Sequence, residues 1–235
     1  HFVIFPASAS FAILVALVNL ILIFLFLPES KVHLNEAKMI HPILNLKNIK
    51  SKVLIRLCLL NLLFLLSFSG FEFVINFYLS EEFSFTPKNI GLTFLYIGSI
   101  IILVQGGIVR RLSGKISERS MALYGAYSVA IGFMVLLFGR DIFAVFISLF
   151  FLAFGSALVN PGLSSFASLE SEEKDQGMTL GLFRSFGSLA RAISPIVFSI
   201  LYFQKGPQFT FILSLLILFV FLILLHQTKS KFKTM

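Results

Sequence analysis

Along the whole chain, apolar runs long enough to cross a bilayer alternate with short polar connections. About 20 residues rising ~1.5 Å each cross the ~30 Å hydrocarbon layer. Seven stretches meet that length: about Phe2 to Leu27, Val53 to Leu79, Asn89 to Val109, Ser120 to Phe138, Ile142 to Ser165, Met178 to Phe203 and Gln208 to Leu225. The first stops at Pro28-Glu29, and a polar connection follows through Lys52. The pattern predicts an all-α membrane protein. It divides into one helix over 1–28, a basic linker over 29–52, a six-helix bundle over 53–227 and a basic tail over 228–235.

Composition agrees with the pattern. Hydrophobic residues make up 57% of the chain, with thirty Phe, no Trp and a mean hydropathy of +0.96. That is too apolar for a soluble domain with an ordinary core. The net charge of +8 would suit nucleic acid if it lay on a soluble face, but the cations sit between apolar runs, so the sequence points to no nucleic-acid partner. Counting Lys and Arg instead gives an orientation. One side holds fourteen: Lys31, Lys38, Lys47, Lys50, Lys52, Arg56, Arg110, Arg111, Lys115, Arg119, Lys174, Lys229, Lys231 and Lys233. The other holds Lys88, Arg140 and Lys205. The first side is expected to be cytoplasmic, with the C-terminus inside. The chain opens at His1 within an apolar run, without an initiator Met or a basic leader, and reads as a fragment of a longer protein.

Two cations remain, and both fall inside the sixth stretch. At helical spacing Gly177, Gly181, Arg184, Ser188, Arg191 and Pro195 share one face. Arginine inside a membrane helix costs about 2.5 to 3.5 kcal/mol on insertion scales, so this face should turn to protein, partner or water rather than lipid. Arg191 lies near the expected midplane. A guanidinium there suits a carboxylate, sulfonate or phosphate, or a fixed acidic partner. Arg184 lies closer to the cytoplasmic edge and reads as structural or gating. Gly177 and Gly181 form a small-xxx-small pair that lets a backbone approach, and Pro195 is expected to kink the helix.

Glu72 is the only acid within the seven stretches. It is either a proton or substrate relay, or a structural or near-surface acid. Gln105, Asn76, Asn61 and Asn160 are intramembrane amides, each a substrate contact or an interhelical hydrogen bond; Gln105 and Asn76 join the candidate site. Asn160-Pro161-Gly162 reads as a bend. Tyr78 and Tyr202 read as interfacial anchors, and Glu170, Glu172, Glu173 and Asp175 as a solvated turn. Cys58 reads as a small hydrophobe. No phosphate-binding loop or zinc motif is present, and His33 and His41 lie apart in the linker. The sequence therefore implies no cofactor, no metal and no enzyme.

Several segments carry a resemblance: F-L-P-E-S at 26 to 30, Q-G-G-I-V-R-R at 105 to 111, N-P-G-L-S-S at 160 to 165 and Q-G-M-T-L-G-L-F-R-S-F-G-S-L-A-R-A-I-S-P at 176 to 195. They resemble the major facilitator superfamily, and within it the drug:proton antiporter group with its animal tetracycline-transporter-like, organic-anion-carrying branch. The resemblance implies the C-terminal half of a twelve-helix secondary transporter, preceded by the sixth helix. It further implies a small organic solute, protons, the lipid bilayer and the missing N-terminal half as partners. The solute would be anionic or amphiphilic and its movement proton-coupled, with Arg110, Arg111 and Lys115 in a basic gating or structural turn. One departure stands out: the family's loop usually carries an Asp before its arginine, and no acid lies between Gly106 and Lys115. The alternative reading is a membrane scaffold or receptor-like protein that kept a transporter fold without transport.

Overall fold

The computed structural model describes residues 4–26, 52–171 and 176–228. The linker with His33 and His41, the acids Glu172, Glu173 and Asp175, and the tail beyond Thr228 lie outside the described residues. Seven helices long and apolar enough to cross a membrane are present among those described. They are α1 (Ile4–Phe26), α2 (Lys52–Phe83), α3 (Pro87–Leu112), α4 (Glu118–Phe138), α5 (Ile142–Leu169), α6 (Gln176–Lys205) and α7 (Pro207–Gln227). α1 belongs to a unit of its own, and the other six form the second unit.

The helices start and stop where local chemistry says they should. Thr86, Ser117 and Asp141 are N-caps whose side chains accept from the backbone N–H of Asn89, Ser120 and Ala144. Pro87 and Pro207 occupy first-turn positions, where a missing N–H costs nothing. Gly114 at φ +77° and Gly206 at φ +93° make the turns into α4 and α7, which a side chain would strain. α2 runs four residues beyond the expected Leu79, because Ser80, Glu81 and Glu82 continue the helix rather than opening the loop. α5 and α6 run unbroken through Pro161 and Pro195, so helical structure continues where the sequence suggests a bend and a kink.

In lipid, helices associate through close packing and interhelical hydrogen bonds rather than through burial from water. Small residues mark the closest backbone approach here. α4 and α5 meet at Gly125 and Gly155, where an added Cβ on either would strike the other's carbonyl oxygen. Ser128 Oγ beside them donates to the Phe151 carbonyl at 2.8 Å. α2 packs on α7 through Ser67, whose Oγ donates to the Ser214 carbonyl at 2.9 Å, and through the ring pairs Phe64–Phe221 and Phe71–Phe211. α3 leans on α5, with the Tyr96 hydroxyl donating to the Phe146 carbonyl at 3.3 Å. Phe64, Phe133, Phe198, Phe211 and Phe221 are fully buried between helices. Phe138, Phe143, Phe203, Phe209 and Phe219 face outward, so among the described residues phenylalanine serves both core and outer surface.

Candidate functional site

The site is built on the pair α2 and α6. Three contacts tie them along their length. Asn61 Nδ2 donates to the Phe183 carbonyl at 2.8 Å. Gly70 leaves the space that the Phe198 ring fills. Near the far ends, the Tyr202 hydroxyl donates to Glu81 Oε2 at 2.6 Å. Contacts advance in the same direction along both chains, so the helices run parallel.

α6 divides sharply between two faces. Thr179, Phe183, Gly187, Ala190, Ser194, Phe198 and Tyr202 form the buried stripe. The opposite stripe carries Gly177, Gly181, Arg184, Ser188 and Arg191, all exposed in this bundle, with Pro195 half-buried at its end. Arg191 lies about 22 Å along the helix from Gln176 and about 21 Å from Lys205, hence at its centre. Arg184 lies about 12 Å from the same start. Gly177 and Gly181 read in the sequence as a landing for a neighbouring backbone. Yet no described atom lies within 4 Å of a Cβ built at either. The close approach falls instead at Gly187, which leaves 2.8 Å between such a Cβ and Asn61 Nδ2.

Glu72 is exposed on α2, about 30 Å from the start of that helix and about 17 Å from its end. Arg191 is near enough for the two charges to act on one another across the α2–α6 seam. Among the described residues no direct ion pair within 4.0 Å joins them. Asn76, one turn further along, donates its amide to the Glu72 backbone carbonyl at 3.1 Å and, more weakly, to Phe73 at 3.4 Å. Part of its donor capacity is therefore spent on its own helix, while its side-chain oxygen has no such use. Asn61, whose substrate and packing readings the sequence leaves open, is buried and bonded across the seam. Asn160 is exposed just before Pro161.

Gln105 stands apart from this cluster. It lies on α3 in a π-helical turn spanning Val104–Val109, with Gly106 and Gly107, and all three are exposed. Such turns insert one extra residue into a helix and recur at functional sites. Arg110 and Arg111 follow in the last turn of α3, with Gly114 and Lys115 in the connection beyond; these cations too are exposed.

The sequence does not show the contacts of three residues. Tyr202 and Tyr78, expected as interfacial anchors, are buried at 5% and 7% exposure. Tyr202 turns inward because Glu81 accepts a hydrogen bond from its hydroxyl, and Tyr78 because its ring stands edge-on to Phe83 and Phe211. Arg119, counted only for orientation, donates from Nε to the Leu225 carbonyl at 3.1 Å and from an Nη atom to that of His226 at 2.6 Å. It thereby caps the negative end of α7. The signal for it, a cation at the entry of a helix adjacent to another's exit, exists only once the two are brought together.

A family model described as the Major Facilitator Superfamily matches residues 111–233, more than half the chain. The chain belongs to that superfamily. It is 32% identical over 171 residues to the Major facilitator superfamily domain-containing protein 10 of Mus musculus, covering 72% of this chain and 37% of the mouse protein. It is 27% identical over 125 residues to the class G tetracycline resistance protein of Vibrio anguillarum, covering 53% of this chain and 32% of that protein. In three dimensions it superposes on the human organic anion transporter MFSD10 (TETRAN) with a TM-score of 0.69 and 29% identity, over 73% of this chain and 40% of that one. The chain therefore spans 32% to 40% of the length of these superfamily relatives. Its six-helix unit has the fold of half a superfamily transporter.

Proposed function

We propose that this chain is the C-terminal half of a secondary transporter for small organic, anionic or amphiphilic solutes, driven by protons. The observation that carries the reading is the outward stripe of α6. A guanidinium sits at the helix centre, flanked by small residues, on a face the bundle leaves uncovered and within electrostatic reach of one carboxylate. Transporters of this architecture place substrate at the interface between repeats near the midplane. A bare cation facing lipid there would be costly. In this reading Arg191 holds the solute's anionic group or the counter-charge, and Glu72 binds and releases the coupling proton. Gln105 and Asn76 supply neutral hydrogen bonds. Arg184 with Arg110, Arg111 and Lys115 belongs to the inner closure. The names of the relatives, an organic anion transporter and a tetracycline resistance protein, support the solute class.

The test uses the full-length protein in proteoliposomes under an imposed pH gradient, with uptake of labelled organic anions measured. Arg191→Ala is expected to abolish uptake with surface expression intact, and unchanged uptake removes the assignment. Glu72→Gln is expected to remove the response to the gradient while exchange of anion for anion persists. A wild-type protein that carries nothing under any gradient supports the scaffold reading instead.

A further inference from the structure

Where the ends of α2 and α4 meet the start of α7, a polar cavity of about 300 Å³ opens. Glu82, Arg140 and Gln208 line it together with Tyr78, Phe83 and Phe211. The three rings form a connected wall, Tyr78 standing edge-on to the other two at centroid distances of 5.7 and 5.4 Å. Gly139, which lines this cavity, also lies at one end of an open apolar face along α4 that carries Tyr127, Ile131, Met134 and Phe138. From Tyr127 to Gly139 the helix rises about 18 Å, slightly more than one leaflet of a ~30 Å hydrocarbon layer.

The two charges in the cavity are opposite and available. Among the described residues, the side chains of Glu82 and Arg140 make no hydrogen bond or ion pair. The start of α7 adds uncapped backbone N–H groups, since Gly206 offers no side-chain acceptor, and a helix start favours a negative group. A polar cavity of mixed sign at a membrane-helix end, sharing Gly139 with a leaflet-deep apolar face, fits a molecule with an anion, a cation and a long hydrocarbon chain. We propose that this composite site holds one zwitterionic glycerophospholipid of the bilayer. Its phosphate lies on Arg140 and the α7 start, its ammonium group on Glu82, and one acyl chain along α4. An arginine that merely anchors the helix at the interface explains the cation, but not the acid placed in the same cavity. A lipid with net negative charge would set its headgroup against Glu82.

Native mass spectrometry of the full-length protein, released from nanodiscs of equal phosphatidylcholine and phosphatidylglycerol, tests the site. Wild type is expected to retain phosphatidylcholine in preference. Glu82→Gln should erase that preference, a ratio read within one sample and so independent of yield. Arg140→Gln should lower retention of both lipids by roughly tenfold, as loss of a hydrogen bond to a charged group implies. Arg140→Lys, which keeps the charge, should restore most of it. Soluble glycerophosphocholine, having no acyl chain, should fail to compete. Equal retention of the two lipids by wild type, an unchanged preference in Glu82→Gln, or full competition by the soluble headgroup would overturn the proposal.

Discussion

Asn61 shows how a single polar residue is placed in an apolar seam. Its amide reaches the Phe183 carbonyl, and its flank closes against Gly187. Measured interhelical hydrogen bonds in membrane proteins average only about 0.6 kcal/mol, because the unfolded helices also find partners in lipid. Asn61→Ala should therefore cost stability modestly, and it should leave anion uptake intact if the residue is structural. Thermal unfolding in detergent beside the proteoliposome assay separates the two roles; lost uptake at unchanged stability would return Asn61 to the solute site. The sequence offered both roles for Asn61, and the position of Phe183 adds an observation in favour of packing. Tyr202 was harder to read. An aromatic near a helix end has the composition of an interfacial anchor, and nothing local announces that Glu81, more than a hundred residues away, takes its hydroxyl.

At the scale of the helix, glycine has two different uses here. Gly70, Gly125 and Gly155 sit under neighbouring rings or backbone, whereas Gly177 and Gly181 face open space within the six-helix unit. Gly155→Leu should lower the melting temperature of the detergent-solubilised protein by forcing α4 and α5 apart, at a cost of several kcal/mol typical of overpacking, about 1 to 3 or more. Gly181→Leu should leave the fold of this unit untouched. If it also abolishes transport, the open face is one that closes against something during the cycle. The seven spans were legible because their length and apolarity follow from bilayer thickness, and the two faces of α6 because charge and small residues recur at helical spacing. The π turn in α3 was not legible. Spacing arguments assume 3.6 residues per turn, and the V-Q-G-G-I-V stretch carries no composition that breaks that assumption.

For the whole molecule, the pairing of α2 with α6 matters most. The two helices are tied at Asn61, at Gly70 and at Glu81, so they should travel as one body in any rearrangement between inward- and outward-open states. Spin labels on outward positions Phe73 and Phe203 should keep a single distance distribution with and without solute in the full-length protein. A distribution that splits or shifts on adding solute would show that the seam itself opens. Arg119 extends the same logic to the opposite end, where it holds the start of α4 to the last carbonyls of α7.

The π turn on α3 also sets a phase. One surplus residue between Val104 and Val109 rotates everything after it by about 100° relative to an uninterrupted α-helix. The arginine pair thus points where it does because the helix carries one residue more than its pitch requires. A helix of the same length drawn to plain α pitch through this turn would swing Arg110 and Arg111 about a quarter-turn around the axis, whereas one shortened by Gly106 would lose the turn and leave both charges aimed as they are.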